Sequence, residues 1–211
     1  AIRNTNDGIS MVQTAEGTLN QINDNLQRIR ELSVQAANGT NSSDDLVSIQ
    51  DEIDQRLEEI DRIAEQSNFN GIGLVNETKS LNIQVGANAG DSIAVRFEGM
   101  DLQGLALEGL SVLDDGNGTE KPIDRVDEAI KRLDRQRSYM GAVQNRFESV
   151  IDGLNNNIIN TSAARSRIQD ADYAQEVSNL IRAQILQQTG IAMLAQANQQ
   201  PQMILRLLEG L

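Results

Sequence analysis

The feature that most constrains this chain is a seven-residue repeat in its second half. Between residues 122 and 168 one row recurs every seven positions: Val126, Leu133, Met140, Phe147, Leu154, Thr161 and Ile168. Such a repeat places an apolar seam along one side of an α-helix. This helix is about 70 Å long at about 1.5 Å per residue. Because it cannot fold back on itself, it needs partners along its length.

Two further helices are predicted in the first third of the chain, over about 3–37 and 43–66. In the first, two rows recur every seven residues: Val12, Leu19, Leu26 and Ser33 with Ala15, Ile22, Ile29 and Ala36. In the second, the seam contains Leu46, Ile49, Ile53, Leu57, Ile60 and Ala64. The short connection between the two helices predicts antiparallel neighbours.

Capping residues mark the ends of these helices. Asn38-Gly39 predicts a left-handed cap at the end of the first helix. Ser42 or Ser43 suits the N-cap of the second, with Asp44 and Asp45 near its positive end. Pro122 suits the first turn of the long helix.

The period changes over about 72–113. The stretch "SLNIQVGANAGDSIAVRF" alternates apolar and polar residues on both sides of a glycine-containing turn. This alternation predicts a β-hairpin. "LALEGLSVL" predicts a further extended piece or turn, and "DDGNGTEKP" predicts a loop.

The last segment is apolar on several sides. Leu180, Ile185, Leu186, Ile191, Met193 and Leu194 spread around the predicted helix. A helix of this kind is buried on several sides. We therefore expect it to be covered by other copies of the chain or by a preceding N-terminal part.

Composition excludes several classes of function. Acidic residues outnumber basic ones by 31 to 18, which argues against nucleic-acid binding. No apolar run reaches about 18 residues, so no membrane insertion is expected. The absence of Cys and His removes disulfides, thiol and imidazole catalysis and the usual zinc ligands. We predict no catalytic residues, no metal site and no cofactor.

Six strings, in order, now identify a family resemblance. They are "NDGISMVQTAEGTLNQINDNLQRIRELSVQAANGTN", "SIQDEIDQRLEEIDRIAEQSNFNG", "IQVGANAGDSI", "MGAVQNRFESVIDGLNN", "ARSRIQDADYAQEVSNL" and "AQILQQTGIAMLAQANQQPQ". Together they closely resemble bacterial flagellin, the filament subunit of the flagellum. The resemblance is to a short form with little or no variable outer domain and with its N-terminal segment missing.

The resemblance implies a mainly α fold: an elongated, antiparallel, coiled-coil-like helical rod with a β-hairpin region and a C-terminal apolar helical segment. Residues 1–168 would form the rod-like core domain and 169–211 the inner-core segment, with its helix over about 172–211. It implies a secreted, non-enzymatic subunit that polymerises into the extracellular filament for swimming motility. Implied partners are other flagellin subunits, an export chaperone of the type III pathway, and filament cap and hook-junction proteins.

The resemblance also implies recognition by the Toll-like flagellin receptor of animals. Gln27, Arg28, Leu32 and Glu52 match the family's receptor-contacting positions. Arg28 and Leu32, four residues apart, would share an outer stripe while Leu26, Ile29 and Ser33 face the core. Periodicity alone favours an ordinary solvated face here.

The same resemblance assigns chaperone binding and polymerisation to the C-terminal segment. The residues expected to serve both are Leu180, Ile185, Leu186, Leu194, Leu205 and Leu208.

Three alternatives remain open. One is a hook–filament junction protein, which shares the terminal helices of flagellin. Another is an enzyme on a flagellin scaffold, disfavoured because the chain has no His. The third is a soluble helical export partner, which would not need the apolar segment.

Overall fold

The computed structural model describes residues 1–113 and 121–208, without the side chains of 170–172 and 199–208. It is mainly α-helical, as the sequence predicts. The elements are helices α1 (Ile2–Ala36) and α2 (Ser43–Gln66), strands β1 (Asn68–Phe69), β2 (Ile72–Gly73), β3 (Lys79–Gln84) and β4 (Ser92–Phe97), the short helix α3 (Leu102–Leu105), and helix α4 (Pro122–Leu208). The loop predicted over "DDGNGTE" lies outside the described residues.

The contacts divide the chain into two units, Ala1–Leu154 and Asn155–Leu211. In the first unit, α2 packs antiparallel beside α1. The hydroxyls of Thr18 and Ser67 lie 3.0 Å apart, and Arg28 Nε donates to Glu52 Oε1 at 2.9 Å. Later residues of α1 therefore contact earlier residues of α2, so the two helices are antiparallel, as the short connection predicts.

The other neighbour of α1 is the first part of α4, which also runs antiparallel to it. Gly8 lies against the ring of Phe147, and Arg30 Nε donates to Asp127 Oδ1 at 2.6 Å. Because α1 lies between two helices, it supplies much of the core. The fully buried side chains include Leu19, Ile22, Leu26, Ile29, Ile53, Ile60, Phe97 and Phe147.

The prediction of a left-handed cap at the end of α1 is wrong. Ala37, at the C-cap, has a right-handed helical backbone, and Gly39 does not adopt a positive φ. The Asn41 side chain caps the helix instead, since its Nδ2 donates to Gln35 O at 2.6 Å. The Asn41 side chain thus satisfies a terminal carbonyl of α1. In a left-handed glycine cap, a backbone N–H would satisfy that carbonyl.

The predicted N-cap of α2 is confirmed at Ser42. Its hydroxyl accepts from the Asp45 backbone N–H at 3.2 Å, and its own backbone N–H donates to Asp45 Oδ2 at 3.0 Å. This reciprocal pair is a capping box with Asp in place of Glu. It fixes where α2 begins.

The predicted β-hairpin is also confirmed. β3 and β4 are antiparallel with Ile83 opposite Ile93, and β4 buries alternate residues as a half-buried strand should. β1 and β2 form a second, smaller hairpin that the sequence analysis missed. Asn70 and Gly71 have φ values of 50° and 80°, as a two-residue type I′ turn requires.

The long helix ends later than the sequence predicts. Helical geometry continues through 168 to Leu208, so α4 contains 87 residues. In the second unit, every described side chain, over 155–169 and 173–198, is exposed. The division into a rod core over 1–168 and an inner segment over 169–211 stays a prediction.

Candidate interaction surfaces

The first candidate surface lies where α1 and α2 run side by side. Arg28 joins the helices, because its Nη2 lies 2.8 Å from Glu52 Oε1. The same guanidinium reaches Glu31 Oε2 at 3.1 Å. The hydrogen bond to Glu52, and then that to Glu31, raises the pKa of Arg28 above its usual value. Arg28 and Glu52 thus form one patch, with exposed Gln27 beside Arg28.

The expectation that Leu32 stands on the outer stripe is wrong. Leu32 is only 2% exposed and belongs to the core. The cause is a second buried row on α1, displaced from the predicted seam and turned toward α2. Along this row Thr18 contacts Ser67, and Asn25 Oδ1 accepts from Arg56. A helix with one neighbour buries one seam, whereas α1 has two neighbours and buries two.

Leu32, although buried, lines a groove in this first surface. A groove of about 430 Å³ separates the end of α1 from the start of α2, and it is lined by Leu32, Gln35, Asn41, Asp45, Ser48, Ile49 and Glu52. The structure therefore brings Leu32 and Glu52 to one groove. An apolar side chain at its base and charges at its rim suit a protein partner.

The second candidate surface is the apolar part of α4 in the second unit. The exposed fractions of Leu180, Ile185, Leu186 and Leu194 are 59%, 55%, 65% and 64%. Ile181, Ile191 and Met193 are also exposed. Isolated exposed apolar side chains are normal, but a contiguous set marks an interaction site. The side chains of Leu205 and Leu208 lie outside the described residues.

The described acidic side chains of these surfaces are not grouped as a metal ion requires. Within residues 1–113 and 121–208, no three acidic, Cys or His side chains are placed to hold a metal ion. No helix in the described part of the chain is both long and apolar enough to span a bilayer.

The sequence analysis missed the polar side chains that hold the segment after β4. Gln50 clamps it on α2, since Nε2 donates to Leu110 O at 3.1 Å and Oε1 accepts from the Val112 N–H at 2.7 Å. Arg132, on α4, donates to Gly104 O at 3.1 Å. The signal for Gln50 was its position beside the buried seam of α2.

Family models match both ends of the chain. The bacterial flagellin N-terminal helical region matches residues 1–80, and the bacterial flagellin C-terminal helical region matches residues 123–208. A flagellin of Xenorhabdus nematophila is 48% identical, over 99% of this chain and 80% of its own length. The chain belongs to the flagellin family. Flagellins are structural subunits of the extracellular flagellar filament, so the chain is a filament protein and not an enzyme.

Other comparisons agree with this assignment. A flagellin of Bacillus subtilis strain 168 is 42% identical over 99% of this chain and 80% of its own. The crystal structure of Bacillus cereus flagellin superposes with a TM-score of 0.64 at 32% identity, covering 78% of this chain and 95% of that one. A putative flagellar hook-associated protein from Vibrio parahaemolyticus has a TM-score of 0.60 at 12% identity, a likeness of fold alone.

Proposed function

We propose that this chain polymerises, for swimming motility, by burying the apolar side chains of its C-terminal helical segment against other copies. The observation that carries the proposal is the exposure of Leu180, Ile185, Leu186 and Leu194 on one helix. Burying a Leu side chain contributes about 1.5–3 kcal/mol, so several such side chains per subunit supply a strong driving force. Leu205 and Leu208 belong to the same proposed surface.

A charge placed in this surface tests the proposal. Leu186→Asp is expected to abolish polymerisation, because a carboxylate buried without a partner is strongly unfavourable. Leu186→Met, which keeps an apolar side chain of similar size, is the matched control and is expected to polymerise like the parent. Electron microscopy and sedimentation measure the outcome. Filaments of Leu186→Asp at the parent's yield would show that this surface is not buried on assembly.

The same segment is proposed to bind an export chaperone before secretion. An exposed apolar helix is an aggregation hazard, and a chaperone that covers Leu180, Ile185, Leu186, Leu194, Leu205 and Leu208 would remove it. Calorimetric titration of the cognate flagellar chaperone tests this, with Leu186→Asp and Leu194→Asp expected to weaken binding by at least about tenfold. Unchanged affinity in both variants would contradict it. Contacts with filament cap and hook-junction proteins are proposed on the family likeness alone.

Recognition by the Toll-like flagellin receptor of animals is proposed at Gln27, Arg28, Leu32 and Glu52. The Arg28–Glu52 pair above a groove supports it, with Leu32 acting from the groove base. Arg28→Ala is expected to weaken receptor binding at least about tenfold, since a buried interface Arg often contributes about 2 kcal/mol or more.

The matched control for Arg28 is Arg30→Ala, which removes an ion pair to Asp127 on the other side of α1. Calorimetry on the monomer is the measurement, with circular dichroism to verify the fold. Equal loss of affinity in both variants would locate the receptor surface elsewhere.

The alternative of a hook–filament junction protein has weaker support. The junction-type likeness is confined to fold, whereas flagellins match at 42–48% identity along the chain. Electron microscopy of the purified chain separates the two functions, because only a filament subunit gives long polymers.

A further inference from the structure

Four acidic side chains form a slightly slanted row on the outer side of α2: Asp44, Asp51, Glu58 and Glu65. They follow one another every seven residues, and all four are exposed. Ile49 marks the buried side of the helix. Asp51, which belongs to the row, follows Ile49 by two residues and so lies about 200° around the helix from that buried side. Successive carboxylates are about 10 Å apart along the axis. These four residues are named the acidic row.

The acidic row has no cationic partner in the described part of its own chain. Other acids on α2 are engaged, since Glu52 pairs with Arg28 and Glu59 with Arg62. None of the ion pairs among residues 1–113 and 121–208 includes a carboxylate of the row. A row of exposed acids alone is a solvated helix face, so its meaning depends on a second feature.

That second feature is a groove of opposite charge between β4 and α4. The groove has a volume of about 490 Å³, and its lining includes Arg96, Arg132 and Arg135 but only one acid, Glu98. The side chains of Arg96 and Arg135 are 65% and 69% exposed, and each makes one ion pair within the chain, to Glu98 at 3.3 Å and to Glu128 at 3.4 Å. Because these pairs are exposed to solvent, they hold the guanidinium groups only weakly and leave them open to a second carboxylate. A lining with excess positive charge is notable in a chain whose net charge is −13. It is named the cationic groove.

The walls of the cationic groove are fixed to one another. Gln136, on α4, donates from Nε2 to Arg96 O at 3.0 Å. Tyr139 accepts from the Arg96 N–H at 3.1 Å through its hydroxyl oxygen. Arg132 is held by its bond to Gly104 O. The unpaired edge of β4 is thus tied to α4, and the groove is present before any partner arrives.

We propose that the cationic groove of one copy binds the acidic row of the next copy. The inference rests on the proposed function, polymerisation, and adds a specific contact to it. Guanidinium groups recognise carboxylates through paired, charge-assisted hydrogen bonds. Copies with the same net charge repel one another, and complementary charge where they meet offsets part of that repulsion.

The geometry gives this contact a direction. The groove lies on β4 and α4 and the row on α2, so the two surfaces are different parts of one chain. A contact between unlike surfaces is heterologous and repeats from copy to copy without closing on a pair. This is the kind of contact that a filament needs.

A charge swap tests the proposal with the full chain. The groove variant carries Arg96→Glu and Arg135→Glu, the row variant carries Asp51→Lys and Glu58→Lys, and the swap variant carries all four. The matched control, Arg3→Glu with Lys121→Glu, changes the net charge as the groove variant does, at exposed positions outside the groove. Seeded polymerisation followed by light scattering measures the rates, and circular dichroism verifies each monomer.

The groove and row variants are each expected to polymerise at least about tenfold more slowly than the parent. The swap variant, and an equal mixture of the groove and row variants, are expected to regain most of the parent's rate because complementary charge is restored. A swap variant as slow as the single variants would overturn the proposal, as would a control as slow as the groove variant. If the parent itself failed to polymerise, the proposed function would be refuted with it.

Discussion

Two glycines on α1 that look alike in sequence are expected to respond in opposite ways to the same substitution. Gly8 is buried, and a Cβ built there would lie 2.9 Å from Phe147 Cζ. Gly17 lies nine residues further along α1, and a Cβ built there would have no such neighbour within 4 Å. Gly8→Ala and Gly17→Ala therefore form a matched pair in which only the surroundings differ.

The magnitudes follow from two opposed effects. Replacing Gly by Ala inside a helix stabilises it by about 0.5–1 kcal/mol, which Gly17→Ala should show in full. At Gly8 the methyl group meets a ring that is fully buried and has little room to recede. Overpacking of this kind costs about 1–3 kcal/mol. The overpacking cost equals or exceeds the gain in helix propensity, so Gly8→Ala should destabilise the chain by up to about 2.5 kcal/mol.

Urea unfolding of the monomer followed by circular dichroism measures both changes. Combining Gly8→Ala with Phe147→Leu supplies a further check. The smaller side chain admits the methyl group, so the double variant should be more stable than the sum of the single changes predicts. If Gly8→Ala stabilised the chain as much as Gly17→Ala, the close approach of α1 to α4 would not constrain this position.

Two further predictions concern polar contacts of α2. Gln50→Leu removes both clamps on Leu110 and Val112, so the Val112 amide is expected to exchange its hydrogen at least about tenfold faster while the amides within α2 keep their protection. Equal exchange in the two proteins would show that the clamp is dispensable. The Ser42 hydroxyl, and then its backbone N–H, lowers the pKa of the Asp45 carboxyl. The stabilisation by Asp45 is therefore complete above its unfolded pKa, about 4, and is lost as the pH falls through the lower folded pKa. Asp45→Asn should abolish this acid-dependent fraying of the first turn, measured by amide exchange against pH, and an unchanged pH profile would contradict the assignment.

Local rules predicted much of the helical structure and the main hairpin. The capping serine, the alternation in β4 and the seam through Leu26 depend on residues close in sequence, and the structure confirms each. Leu32 shows the limit of such rules. Its burial depends on α1 having a second neighbour, and no spacing within α1 specifies how many helices surround it.

The end of α1 shows a second limit. Asn38-Gly39 satisfies the usual pattern for a left-handed cap, yet Asn41 donates to the terminal helix carbonyls of Gln35 and Ala36 and caps the helix. Two acceptable solutions were present in four residues, and sequence alone does not rank them. Likewise, nothing between 168 and 172 breaks a helix, so helical geometry continues where a family boundary was expected.

The placement of α1 between α2 and α4 also has a consequence for folding order. α2 follows α1 after a short loop, so that pair forms by local search. The contact between Arg30 and Asp127 instead closes a separation of 97 residues, and contacts this distant form late and slowly. Until α4 is in place, the side of α1 that packs against Phe147 has no helix to cover it. We therefore expect α4 to complete the core by packing on an α1–α2 pair that has already formed.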